Sequence, residues 1–327
     1  MIITHKDNTI YLRWRDEDGN RLEKEVTDFR PYFYVSSDER MPQAYNISVT
    51  NSQGRKMKLP QEFVYERTKH VNLENQPLTK VMVTKYNDIR TARKYFDKTY
   101  EADVSFTHRY CIDEMTEIPE YDLRKWYWDM EWMTTGEYDG AITTIAVYDN
   151  YADCINLYYW TPKDVKLDMV IVDAEEYHFN SEEDMLEAFV SDMEEQDPDM
   201  LIAWFGLQAD IPKLFQRLEE NNIDISRLSP IGLVKPSKKA WNQISPISQP
   251  IYGRLCLNLD HAFERQWNDA QRGTLPSTAL DFVGNLLFGE GKKKESKFTD
   301  KNEFFRRAWL EDTQNYLDYN IQDVVLL

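Results

Sequence analysis

Residues 126–132 read Trp126-Tyr127-Trp128-Asp129-Met130-Glu131-Trp132, an aromatic run broken twice by a carboxylate. Its length and its wealth of aromatic residues predict a β-strand. Strand side chains alternate between two faces, so Asp129 and Glu131 share one of them. Charge within so apolar a strand is expensive unless something compensates it, and a bound cation is the usual compensation. The spacing alone is weak evidence in a chain with 57 acidic residues, where Glu137-Tyr138-Asp139 supplies a similar pattern by chance. The setting is what singles the pair out.

Downstream, Ala141 to Tyr148 and Ile155 to Trp160 predict two more strands, joined through a turn at Asp149-Asn150, so the three form an antiparallel meander. Ser181 opens a helix, with Asp184 three residues on as a capping box and Met185, Phe189 and Met193 at helical spacing. Pro198 lies beyond its end. A short apolar strand from Met200 to Trp204 runs into a second helix that starts near Asp210 and carries Leu214 and Leu218 on one face. The order β-β-β-α-β-α implies an α/β mixed sheet with helices on its faces, the arrangement of ribonuclease-H-like nucleases. Residues 230 to 258 read as an inserted hairpin, and helices dominate from there to Leu327.

Upstream, Ile10 to Arg15 alternates in period 2, and Asp18-Gly19-Asn20 turns it into a hairpin leading toward Val26. Tyr32 to Val35 and Lys80 to Thr84 read as strands, and residues 36 to 80 as polar and irregular. Asn87 or Asp88 caps a short helix that turns Ile89, Ala92 and Phe96 inward. These elements make a smaller α+β module over residues 1–108, ahead of the larger α/β domain over 109–327. Two domains suit 327 residues, since one core seldom grows past about 250 to 300 residues.

Lys plus Arg total 39 against 57 Asp plus Glu, a net charge of −18. That is the wrong sign for gripping duplex DNA through counterion release, so any nucleic-acid contact has to be local. The one compact basic run, Lys292, Lys293, Lys294 and Lys297, reads as a solvated loop ahead of a backbone contact. No apolar run approaches the roughly 20 residues that span a bilayer, and the amino terminus lacks a secretory pattern. Cys111, Cys154 and Cys256 form no CxxC pair, which points to a reducing, cytoplasmic setting without structural disulfides. Five scattered histidines argue against a His-ligated zinc site.

Asp210 stands where a strand has ended and a helix begins, and a plain helix cap is the competing use of an aspartate there. Asp323 follows Tyr319 by four residues on the last helix, so phenol and carboxylate project from the same side, with a solvated helix face as the competing use. Four carboxylates gathered at one spot repel one another and are tenable only with cations. Oxygen ligands suit Mg²⁺ or Mn²⁺. Two such ions roughly 3.5 to 4 Å apart can activate water and steady a leaving oxygen in phosphodiester hydrolysis.

These residues resemble, in order, the three exonuclease motifs of family B DNA polymerases. The first is similar to Trp128-Asp129-Met130-Glu131. The second resembles Asp197-Pro198-Asp199-Met200-Leu201-Ile202-Ala203-Trp204 followed by Ala209-Asp210-Ile211-Pro212, and the third is Tyr319-Asn320-Ile321-Gln322-Asp323. Phe29 to Val35 is similar to the family's amino-terminal strand, and Tyr100 to Asp103 through Arg109-Tyr110 to its link into the exonuclease. Gly253-Arg254 with Asp260, and Leu280-Asp281 with Gly289-Glu290-Gly291-Lys292, resemble stretches between the second and third motifs.

The resemblance implies a 3′→5′ exonuclease acting on single-stranded DNA ends. Asp129 would bridge two ions, Glu131 and Asp323 would complete the tighter site, Asp210 would serve the looser one, and Tyr319 would orient water. Where the family carries Asn and Phe in the second motif, this chain has Phe205 and Ala209, which bears on substrate grip. No YGDTDS-like palm motif occurs, so synthesis is not expected of this chain, and a truncated or split polymerase with the rest on a second polypeptide is the expectation. The rival readings are an exoribonuclease of the same four-carboxylate type and a binding module whose nuclease has decayed.

Overall fold

The computed structural model describes residues 1–163, 171, 173–268, 273–289, 291, 297–298 and 300–327. Met1–Tyr121 and Asp122–Leu327 form two compact units.

In the first unit, β1 (Ile2–Lys6), β2 (Thr9–Arg15) and β3 (Arg21–Val26) make an antiparallel meander. β4 (Tyr32–Ser36), β7 (Val64–Val71), β8 (Pro77–Met82) and the short β9 (Thr99–Tyr100) form a second sheet in the order β7-β8-β4-β9, and β5 (Ala44–Thr50) pairs with β6 (Lys56–Glu62) as a separate ribbon. Residues 36–80 are therefore largely strand, where sequence reading expected irregular chain. The reason is solvent: β6 is exposed along nearly its whole length and β7 along most of it, so neither shows the alternation that burying one face imposes. Helix α1 (Ile89–Ala92) buries Ile89 and Ala92, with Phe96 beyond, against Phe33, Val35 and Val81. Asp88 precedes it without a side-chain cap, because its carboxylate accepts from the Tyr45 hydroxyl at 3.0 Å. Helix α2 (Phe106–Glu114) packs Phe106 and Tyr110 on Ile10 and Leu12. Residues 109–121 thus lie in the first unit, whereas the sequence placed the change of region at 108/109.

The second unit is built on a six-stranded mixed sheet, with strands in the order β13-β12-β11-β10-β14-β15. β10 (Lys125–Trp132), β11 (Ile142–Asp149) and β12 (Cys154–Trp160) are the antiparallel meander, and β14 (Met200–Ala203) runs parallel to β10. Two strands were missed in the sequence. β13 (Glu175–Phe179) is a solvent-facing edge strand, and β15 (Leu255–Asn258) runs parallel to β14 with only Cys256 and Asn258 inward. The hairpin expected over 230–258 is reduced to one antiparallel bridge, Val234 to Ile251. A four-residue strand with two buried positions has too little pattern to announce itself.

Helix α3 (Glu182–Gln196) packs on one sheet face, with Phe189 against Trp126 and Trp128. Its amino terminus is capped as expected, Ser181 Oγ accepting from the Asp184 N–H at 3.1 Å. α4 (Asp210–Glu220), α5 (Leu259–Trp267), α6 (Leu280–Phe288), α7 (Lys301–Glu311) and α8 (Thr313–Val325) follow. Trp309 of α7 packs on Trp160 and donates its indole N–H to the Trp160 carbonyl at 2.8 Å. α8 packs across β10 and β11. Glu290, Lys292, Lys293 and Lys294 lie outside the described residues.

One ion pair ties the start of β10 to its surroundings. Arg124 donates to both oxygens of the buried Asp149 at the end of β11, the shortest contact being 2.7 Å, and to the Gln196 carbonyl at the end of α3 at 2.9 Å. Burial alone would raise the Asp149 carboxyl. The Arg124 guanidinium, the Tyr151 N–H and the Trp126 indole together outweigh that and hold it below the usual carboxylate range. A depressed folded-state value stabilises the fold above the unfolded pKa of about 3.9, and that contribution fades as pH falls through the folded value. Arg124→Ala strands a buried carboxylate. It is expected to cost roughly 3 to 5 kcal/mol at neutral pH, measured by urea unfolding, and the gap to the unsubstituted protein should narrow in acid.

Candidate metal centre

Asp129 and Glu131 leave β10 on the face opposite Trp126, Trp128 and Met130, which are buried. The sequence suggested carboxylates sunk in an aromatic core. The strand instead turns both carboxylates, with Tyr127, to its other face, where they are half-buried under α8. A β-bulge sits beside them: Glu131 pairs with Thr144 and Trp132 with Ile142, which leaves Thr143 of β11 without a register partner. Its hydroxyl contacts the Glu131 carbonyl at 3.1 Å and the Tyr316 hydroxyl at 2.8 Å. Bulges of this kind re-aim neighbouring side chains.

Helix α8 supplies the rest along one stripe. Tyr316, Tyr319, Asn320 and Asp323 follow the i, i+3, i+4, i+7 spacing of a single helix face, and all four are buried. A solvated face, the competing use of Asp323, does not describe this helix. Carboxylate oxygens of Asp129, Glu131 and Asp323 lie within 4.8 Å of one another. Oxygen donors so close are a fit for a hard divalent cation, because like charges at that separation otherwise oppose ionisation.

Asn320 is a residue that sequence reading passed over. Fully buried, it donates from Nδ2 to Asp129 Oδ2 at 2.8 Å and accepts from the Thr144 hydroxyl at 3.1 Å. It orients Asp129. The signal was present, since Asn320 stands four residues after Tyr316 on the same stripe, but an asparagine inside a motif read for its tyrosine and aspartate drew no notice. Tyr316 was missed too: burial, with Glu131 and Asp129 nearby, raises its phenol well above the ordinary value and keeps it neutral.

Asp210 is the first residue of α4, buried, and the cap position belongs to Ala209, which makes no side-chain cap bond. It is not one of the three clustered carboxylates. The turn that delivers it is braced by Asn258 at the end of β15, whose side chain accepts from the Leu207 N–H at 2.8 Å and donates to Gln208 at 2.5 Å. Gly206 in this turn has no room for a side chain. A Cβ there would fall 2.7 Å from the Ala203 Cβ and 3.8 Å from Asp210 Oδ2. Phe205 and Ala209 flank this turn and are half-buried. The other aspartates of the second motif are structural: Asp197 closes α3 in a left-handed conformation and pairs with Arg254 at 2.8 Å, and the buried Asp199 accepts from the Arg124 N–H at 3.0 Å.

The DNA polymerase of Pyrococcus glycovorans is 24% identical over 311 residues, covering 89% of this chain and 36% of the polymerase. The chain resembles the amino-terminal and exonuclease region of family B DNA polymerases. DNA polymerase 1 of Pyrococcus abyssi is 27% identical over 198 residues, and the DNA polymerase of Thermococcus sp. (strain 9oN-7) is 28% identical over 199. Each of these two matches covers 60% of this chain and 23% of the polymerase. The matches therefore span between 23% and 36% of the length of these relatives. No family model matches it. The mixed sheet flanked by helices is that of a ribonuclease-H-like exonuclease domain, preceded by a smaller amino-terminal domain.

Two substitutions probe this geometry. Asn320→Leu removes the donor to Asp129 and is expected to cost about 1 to 3 kcal/mol of stability and to weaken Mn²⁺ binding measured by calorimetry. Gly206→Ala forces the turn away from Ala203, with an expected loss of about 1 to 3 kcal/mol in thermal unfolding.

Proposed function

We propose that the second unit is a 3′→5′ exonuclease that removes nucleotides from single-stranded DNA ends. The observation that carries this reading is the meeting of Asp129 and Glu131 with Asp323, nearly two hundred residues later in the chain, within 4.8 Å. Similarity to DNA polymerases supports a DNA substrate over the exoribonuclease alternative. All four motif carboxylates are retained, which favours a working nuclease over a decayed one.

Asp129, Glu131 and Asp323 would hold one Mg²⁺ or Mn²⁺ ion, and Asp210 with Asp129 a second. Such ions supply activation of water and neutralisation of the reacting phosphate. The protein's own residues do the positioning. Asn320 fixes the direction of Asp129, and the Thr143–Tyr316 pair holds the bulge that aims Glu131. Tyr319 stands one helical turn before Asp323 on the same face, where its hydroxyl would orient the attacking water. Phe205 replaces an Asn that helps hold the strand near its 3′ end in the resembling family, so a weaker hold on the 3′ end is part of the proposal. Polymerase activity would belong to a further domain or a second polypeptide.

Trimming of a labelled single-stranded DNA, followed by gel in Mg²⁺ or Mn²⁺, tests the reading. Asp129→Ala should abolish both trimming and calorimetric Mn²⁺ binding. Tyr319→Phe should leave metal affinity nearly unchanged and slow trimming by about 10² to 10³, the usual cost of one positioned hydrogen bond in a transition state. No trimming by the unsubstituted protein in either metal would sink the nuclease reading, and equal trimming of RNA would shift it to the exoribonuclease.

A further inference from the structure

Charge is unevenly spread along this acidic chain. The first unit carries 19 Lys and Arg against 20 Asp and Glu, while the second carries 20 against 37. Within the first unit, residues 40–98 hold twelve basic residues against five acidic ones, a net +7 in a chain of −18. Arg55, Lys56, Lys58, Arg67, Lys69, Arg90, Arg93 and Lys94 are all exposed.

Three of these cations, Arg55, Lys56 and Lys58, fall on one element. In the β5–β6 ribbon, Lys56 pairs with Thr50 and Lys58 with Ser48, so two ammonium groups and two hydroxyl-bearing residues share one face, and Arg55 sits at the turn. Directly paired residues lie on the same side of a ribbon. The outer edge of β5 receives Tyr95, whose hydroxyl accepts from the Asn46 N–H at 2.9 Å, and Tyr95 remains 40% exposed beside Arg93 and Lys94. An exposed ring among cations is the combination that single strands favour, with bases stacking and phosphates neutralised.

The contrast with the second unit strengthens the point. There Arg124, Arg217, Arg227, Arg254 and Arg307 are each engaged by a carboxylate. Among the described residues, Arg55, Lys56, Lys58, Arg93 and Lys94 show no such ion pair, so their charge is available to a partner.

We propose that the β5–β6 ribbon, with the adjoining Arg93–Tyr95 turn, binds the phosphodiester backbone of a nucleic-acid strand. This site shares no residue with the carboxylate cluster and does not depend on its being a nuclease. The test is fluorescence anisotropy of the whole chain with a labelled single-stranded DNA about 12 nucleotides long, within the span one binding module covers. EDTA is present throughout, so neither metal binding nor hydrolysis enters. Single-stranded RNA and duplex DNA of equal length form the other arms and identify the source of the backbone.

Binding by at least one of the three is expected, weakening with salt by roughly 0.7 log unit per log unit of salt for each phosphate neutralised on a single strand. The exposed triple variant Arg55→Ala/Lys56→Ala/Lys58→Ala should bind at least about tenfold more weakly at low salt, with the slope reduced by about 2. Circular dichroism and melting should match the unsubstituted protein, since none of the three side chains is buried. Absence of binding in all three arms, or a folded triple variant that binds as well as the original, would overturn the proposal.

Discussion

Three carboxylates whose oxygens approach within 4.8 Å repel one another, and much of the second unit can be read as the scaffold that holds them there. Two come from one strand and one from a helix near the end of the chain, so the cluster exists only when α8 lies across β10 and β11. Apolar packing supplies that force. Tyr316, Leu317 and Val324 of α8 are buried in the same core as Trp309 and the sheet residues Ile142 and Ile145. On the opposite face, Trp126 and Trp128 pack on Phe189 and make the sheet a rigid floor. β10 turns Trp126, Trp128 and Met130 into the core on one face and Asp129 and Glu131 to the other, which lets one strand serve both purposes.

The polar residues around the cluster are as constrained as the carboxylates. Asn320, Thr144, Thr143 and Tyr316 are all buried, and each finds a hydrogen-bond partner in the described structure. Buried polar groups left unpaired would each cost on the order of 1 to 3 kcal/mol, so this network both orients Asp129 and keeps the helix in register. At the far end of the sheet, the Arg124–Asp149 pair and the Arg254–Asp197 pair close the carboxyl end of α3. The aspartates of the second motif thus divide their work: Asp197 and Asp199 hold the frame, and Asp210 starts the helix that follows.

The meander, α3, β14, α4 and α8 were legible in the sequence because their apolar residues form either a run, as in β11 and β14, which are buried at nearly every position, or a stripe at helical spacing, as in α3 and α4. β13, β15 and the β5–β7 region were not. Their strands are short, edge-placed or solvated on both faces, and alternation is then either too brief or absent. The same logic separates the site residues. Carboxylates at strand and helix spacing invite attention in an apolar setting, so Asp129, Glu131 and Asp323 were found. Asn258, by contrast, acts through a contact with Leu207, 51 residues earlier in the chain. No local pattern marks such a position, whereas Asn320 shares the helical stripe of Tyr316.

Cation binding by the cluster is the claim from which the rest follows, and anomalous diffraction from crystals grown with Mn²⁺ tests it most directly. The account predicts an anomalous peak coordinated by carboxylate oxygens of Asp129, Glu131 and Asp323, at the short oxygen distances of a hard divalent ion. A cluster that stays free of anomalous density at saturating Mn²⁺, or a peak confined to carboxylates elsewhere on the acidic surface, would contradict it.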